Sequence, residues 1–210
     1  MKLAYRLGCV VLAGLLAAAC GGAPADTVTK DDPLTASSPG IVGLFPTGVS
    51  AEGTSLAAGS VDPHYVLSSD DPKFPGPNAI AVNPAGPRWV LVPDEDIAMW
   101  DSVAEGGGDG DVMQYTYTTT FTITNVDPTQ VTVSGTYACD DECTVSLNGV
   151  QVASVGVPGW ESVQTLSIPA GSPFNAGENT LTFAVQNKGG VSGLGVFTLF
   201  GKAPAAATVE

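Results

Sequence analysis

Few side chains in this sequence are placed to do chemistry, and most of them fall in short clusters. Cys139 and Cys143 bracket three acids, Asp140-Asp141-Glu142. Two thiols so spaced, at the end of one strand and the start of the next, suggest a tight hairpin closed by a disulfide in an oxidising compartment. A zinc site is the rival, and a single distant histidine leaves it short of ligands. A second cluster, Glu105-Gly106-Gly107-Gly108-Asp109-Gly110-Asp111, alternates carboxylates with glycines that let the backbone fold around an ion. Ca2+ takes about six to eight oxygens from carboxylates and carbonyls, so Glu105, Asp109 and Asp111 are the candidate calcium ligands. The run lacks the spacing and terminal Glu of an EF-hand, and a solvated acidic loop is the plain alternative.

Sugar recognition needs an exposed ring face for the apolar side of the sugar and polar neighbours for its hydroxyls. Trp160 follows the turn Pro158-Gly159 and is flanked by Glu161 and Ser162, so Trp160 and Glu161 are candidate ligand contacts. His64 and Tyr65 form a second candidate pair. Trp89 and Trp100 lie in apolar surroundings and read as core. No GxSxG, phosphate loop, dinucleotide fingerprint or HExxH is present. His64 therefore reads as a hydrogen-bonded structural residue. Asp94-Glu95-Asp96 and Asp140-Asp141-Glu142 offer the paired carboxylates of a glycosidase, yet adjacent loop acids are ordinarily solvated. The expectation is a protein that is not an enzyme.

Cys20 bears on where the protein resides. Lys2 and Arg6 precede an apolar stretch, Leu7 to Leu16, and Ala17-Ala18-Ala19 runs into Cys20-Gly21. The stretch is too short to span a bilayer and reads as a removed signal, residues 1–19. It resembles a lipobox, in which the Cys20 thiol is acylated and becomes the new N-terminus. Ordinary cleavage after Ala19 or Ala25 is the alternative. Removing residues 1–19 takes the basic residues from 7 to 5 and leaves all 21 acidic ones, moving the net charge from -14 to -16. Such a surface repels nucleic acid and anionic membranes, so membrane contact must come through the lipid. Gly21 after Cys20, in place of an Asp, favours the outer membrane or cell surface over the inner membrane.

The elements that must position these groups are strands. Residues 20–39 are small, polar and Pro-containing, a flexible tether, and residues 203–210 are an Ala-rich tail. Between them, over 40–202, Tyr115, Tyr117, Thr119, Phe121 and Ile123 alternate with residues that are almost all Thr, the pattern of a half-buried strand. Val131, Val133, Gly135 and Tyr137 repeat it. Asn148-Gly149 between Val145/Leu147 and Val150/Val152 predicts a type I′ hairpin. Leu166/Ile168, Leu181/Phe183/Val185 and Val196 to Phe200 mark later strands. In the first half, short apolar runs at 41–44, 64–67, 79–82 and 89–92 look like edge strands between long loops. Strands without helices predict an all-β, antiparallel β-sandwich of jelly-roll type.

The ordered motifs carry a resemblance. Val61-Asp62-Pro63-His64-Tyr65-Val66-Leu67, Met99-Trp100, Tyr115 to Phe121, Val133 to Ala138, Val145 to Val150 and Phe174 to Asn187, with Gly189-Gly190 and Ser192-Gly193-Leu194, resemble a module of exported bacterial proteins, many of them with a PEP-CTERM sorting signal. The resemblance spans roughly residues 44–200. It implies a galactose-binding-domain-like jelly roll and no particular ligand. The chain departs from the module in its lipoprotein leader and in the cysteines around its acidic loop.

The expected function is a non-catalytic binding module on a membrane-anchored lipoprotein, with glycan as the ligand class. A structural or protein-interaction component of the envelope or matrix is the alternative, and a loop-carboxylate glycan hydrolase comes third. Anchoring is testable directly. Cys20→Ser is expected to move the protein from the membrane to the soluble fraction, and unchanged detergent partition of that variant would refute lipidation.

Overall fold

Alternation of Thr with aromatic and aliphatic residues commits most of the chain to strands, because side chains on a strand face opposite ways with a period of two. The computed structural model of the chain describes residues 37–83, 89–90, 100–108 and 110–204. Cys20, Asp109, the Asp94-Glu95-Asp96 run and Met99 lie outside the described residues. The first half supplies β1 (Ile41–Val42), β2 (Val61–Ser69), β3 (Asn78–Val82) and β4 (Trp100–Ser102). The second supplies β5 (Gln114–Ile123), β6 (Thr132–Asp140), β7 (Glu142–Leu147), β8 (Val150–Val155), β9 (Gln164–Ile168), β10 (Gly177–Gln186) and β11 (Gly193–Lys202). Among the described residues no helix is long and apolar enough to cross a membrane.

All strand pairs are antiparallel, in the order β8-β7-β10-β5-β2-β3-β4-β11-β6-β9, with β1 on β5. The ladder thins between β2 and β3, where Val61 pairs with Ile80 and Val66 with Asn78 across an irregular register. There the sheet turns a corner and folds onto itself, as an all-β sandwich must to bury one face of each layer. One layer is β8-β7-β10-β5-β2 and the other β3-β4-β11-β6-β9. Tyr137 of β6 meets Phe183 of β10 between them, ring centroids 5.9 Å apart. Tyr65, Leu67, Tyr115, Tyr117, Phe121 and Leu181 fill the same core.

Of the first-half runs, β1 is an edge strand, pairing with β5 alone, and residues 91–92 lie outside the described residues, but β2 and β3 are not edges. β2 lies between β5 and β3, and β3 between β2 and β4, while β8 and β9 end the order. The β7–β8 hairpin is as expected: Asn148 and Gly149 have φ of 48° and 81°, and Leu147 pairs with Val150. Ser38 N–H donates to Gly201 O and Thr124 N–H to Gly40 O. The chain thus enters and leaves the domain at the C-terminal end of β5, about 30 Å from Gln114 at a strand rise near 3.3 Å per residue.

Cys139 and Cys143 are not on a hairpin. β6 pairs with β9 and β11, β7 with β8 and β10, so the chain crosses from one layer to the other at Asp141. The thiols still meet. Both are buried free thiols, and the hydrogen bond to Cys143, then burial, push the Cys139 thiol far up. A disulfide between them would tie the layers together at their crossover. Its short loop gives a gain of about 2 kcal/mol by loop entropy. Protein taken from an oxidising compartment is expected to show no free thiol on mass labelling, and two labelled thiols would contradict the disulfide.

Candidate binding surface

The outward side chains of the first layer form a surface that is polar and carries little charge. Register places Ser154, Thr144, Ala184, Thr116 and Ser68 in one row across β8, β7, β10, β5 and β2. Neighbouring strands lie about 4.8 Å apart, so the row spaces hydroxyls at short intervals with a dip over the small Ala184. Beside it runs the row Glu142, Gln186 and Gln114. These residues line two hollows that share Gln114. One, of about 390 Å3, is lined by Thr144, Ser154, Ala184 and Gln186 among others; one of about 250 Å3 is lined by Ser68, Asp70, Met113 and Thr116. Glu142 is paired with Lys188 at 2.8 Å. Gln114 Nε2 donates to Thr116 Oγ1 at 3.2 Å, which braces the amide along the strand. Hydroxyls and amides both donate and accept, so the groove suits a neutral, polyhydroxylated ligand.

Sequence reasoning did not single out these residues. Their signal was the Thr-rich outward half of each alternation. Which outward residues become neighbours is set by pairing between strands remote in sequence.

The outward face of the second layer differs. Val82, Trp100, Ala138 and Phe197 form an apolar patch covered by Trp89, with Trp160, Val90, Ile80 and Val191 packed against it. Trp89 and Trp100 stack at 4.3 Å, and Phe197 meets Trp100 edge-on at 6.0 Å. A bulge between Val196 and Thr198 turns Phe197 outward. Gly193 and Gly195 form the floor: a Cβ at Gly193 would stand 2.5 Å from the Trp89 ring, and one at Gly195 2.8 Å from Phe197. Trp89 and Trp100 are buried as expected, in this second cluster rather than between the sheets.

Trp160 belongs to that cluster, half-buried, with Val90 N–H donating to its carbonyl. Glu161 and Ser162 beside it are exposed. Tyr65 cannot offer a ring to a sugar: it is 2 % exposed, and its hydroxyl donates to Phe45 O at 2.8 Å. The inward phase of β2 puts it in the core. His64 stacks on Phe45 at 3.7 Å, and its Nε2 lies 3.0 Å from Ser50 O. The His64 group and the Trp160 group are therefore separate.

Glu105 and Asp111 are not brought together around an ion. The Glu105 carboxylate lies against Gly59, and the Asp111 carboxylate pairs with Lys73 at 2.9 Å. Among the described residues no group of three or more His, Cys, Asp or Glu is arranged for a metal. Two of the three acids between the cysteines, Asp140 and Asp141, are buried rather than solvated. Asp140 accepts from Trp89 Nε1 at 2.6 Å, and Asp141 accepts from Lys188 N–H at 2.5 Å.

No family model and no curated protein sequence matches the chain. Solved structures with some likeness include a family 35 carbohydrate binding module from an environmental isolate, 14% identical, covering 46% of this chain and 74% of its own, TM-score 0.31. An exo-beta-1,3-galactanase from Phanerochaete chrysosporium with beta-1,3-galactotriose is 16% identical, covering 72% of this chain and 32% of its own, TM-score 0.30. An alpha-xylosidase from Xanthomonas citri is 11% identical, covering 78% and 16%, TM-score 0.29. At such TM-scores these likenesses carry no argument, and the architecture stands on its own strand pairing.

Burial holds the Asp140 carboxyl up at about 6; the Trp89 N–H opposes this and Asp141 adds to it. A carboxyl raised in the fold contributes stability below its ordinary 3.8 and loses it as pH rises through about 6. Tryptophan emission is expected to titrate with a midpoint near 6, with stability falling over the same range, and Asp140→Asn is expected to flatten both. Emission that does not change between about pH 4 and 8 would contradict the buried contact.

Proposed function

We propose that the chain is an exported lipoprotein, acylated on Cys20, whose β-sandwich is a non-catalytic glycan-binding module with its site in the polar groove over Ala184. The observation that carries this reading is the hydroxyl row of Ser154, Thr144, Thr116 and Ser68 flanking a dip at Ala184. A face rich in charge would favour ionic partners, and an apolar one a protein or lipid; this face is neither. The groove lies at the Gln114 end of β5, away from the end where Thr124 N–H meets Gly40 O.

Trp160 is a competing platform, because it is half-buried beside the exposed Glu161. The two sites separate by mutation. In a glycan-array screen followed by titration of the best neutral glycan, Ala184→Arg should abolish binding by filling the dip. Thr116→Ala and Thr144→Ala should each weaken it about fivefold, the worth of one hydrogen bond of about 1 kcal/mol. Trp160→Ala should leave affinity unchanged. Loss in Trp160→Ala with none in the groove variants would move the site to the tryptophan, and a wild-type domain that binds no glycan would favour the envelope-component alternative.

A further inference from the structure

Asp101, in the middle of β4, turns its side chain into the core and is 0 % exposed. Neither of its carboxyl oxygens meets a donor among the described residues. What it meets at hydrogen-bonding range is a second carboxyl, Asp62 near the start of β2, itself 2 % exposed. Asp62 is satisfied from the other side: Oδ2 accepts from Gly48 N–H at 2.6 Å and Oδ1 from His64 N–H at 2.7 Å. Two N–H donors favour the charged form of Asp62. Asp101 has none, and burial without a donor favours its neutral form. Two carboxylates hold no donor between them and repel, so the contact is attractive only when one of the pair is protonated.

No other positive charge completes the pair among the described residues. β3 carries no titratable side chain, and the one charged residue of β11, Lys202, ends that strand. On β2, His64 acts on Asp62, but its ring is engaged with Phe45 and Ser50 O, and the Tyr65 hydroxyl donates to Phe45 O. On β5, Tyr117 is a buried phenol that burial first, then Asp101, keep protonated. Glu52 and Glu105 are exposed, and the ion pairs Lys73–Asp111 and Lys188–Glu142 are at the surface. The carboxyl pair lies at the corner of the sheet, where β2 and β3 pair only irregularly at Val61–Ile80 and Val66–Asn78. Asp62 follows Val61 into that gap, and Asp101 pairs with Ala81 of β3. We propose that Asp101 holds a proton at neutral pH and donates it to Asp62, and that this one shared proton fastens β2 to β4 across the corner, so that the corner loosens in alkali.

Burial raises both carboxyls. The fold therefore keeps a proton that the unfolded chain releases above its ordinary 3.8, and stability falls as pH rises until that proton is lost. Two readouts on the whole protein test this. At about pH 8 Asp140, at about 6, is ionised, so a protonated-carboxyl carbonyl band in the infrared that shifts on 13C labelling of aspartate should report Asp101 and be missing in Asp101→Asn. In denaturant titrations from about pH 7 upward, the wild-type folding constant should fall more steeply than that of Asp101→Asn, by about tenfold per pH unit, because the asparagine amide donates to Asp62 without a titrating proton. Asp62→Asn would turn an N–H2 towards Gly48 or His64 N–H, so it should be the less stable of the two variants. A wild type with no such band, which needs no variant to fold, or equal slopes in wild type and Asp101→Asn, would overturn the shared proton. Asp62→Asn more stable than Asp101→Asn would overturn its assignment to Asp101.

Discussion

The register between β5 and β10 governs both the inside and the outside of this domain. Ten consecutive pairs, from Gly177–Ile123 to Gln186–Gln114, hold the two strands in one phase. In that phase Tyr115, Tyr117, Phe121, Leu181, Phe183 and Val185 face the core, and Gln114, Thr116, Ala184 and Gln186 face out. A slip of one residue would exchange the two sets, exposing these six aromatic and aliphatic side chains to water and burying threonines and glutamines. The hydrophobic cost of that exchange pins the register, and the pinned register aligns the hydroxyls of β8, β7, β5 and β2 around Ala184. Core packing and groove are consequences of one pairing.

The two layers spend their outer faces differently. The first leaves its face to water as an array of hydroxyls and amides. The second covers its face with Trp89, stacked on Trp100 beside Phe197 above a glycine floor, and Trp160 packs against this cluster. That cover in turn encloses Asp140 and holds its carboxyl through the Trp89 indole. The crossover at Asp141 joins these regions: one side carries Asp140 into the tryptophan cluster, the other carries Glu142 and Thr144 into the groove.

Much of this was legible in the sequence. The strict alternation at 115–123 and 181–185, and Asn148-Gly149 between valine runs, specify strands and a hairpin through local preference and the pleat alone. Elsewhere a long-range partner decides. β4 has only three residues, too few for a period, so the inward turn of Asp101 beside Asp62 is set by its pairing with β3 and β11. Cys139 and Cys143 looked like the ends of a hairpin because five residues cannot reveal that the flanking strands belong to different layers. Tyr65 looked like a ligand contact beside His64, but adjacent residues on a strand point to opposite faces, and the inner face took the tyrosine. The groove was invisible for the same reason: Thr116, Thr144 and Ala184 become neighbours only once three strands distant in sequence are paired.

The central claim is that the outward face of the first layer is the ligand surface. Amide chemical-shift mapping of the labelled domain, titrated with a neutral oligosaccharide that it binds, tests this most directly. The account predicts shifts concentrated at Gln114, Thr116, Thr144, Ser154, Ala184 and Gln186, with the indole signals of Trp89, Trp100 and Trp160 unmoved. Shifts confined to the tryptophan indoles, with the groove amides silent, would contradict it.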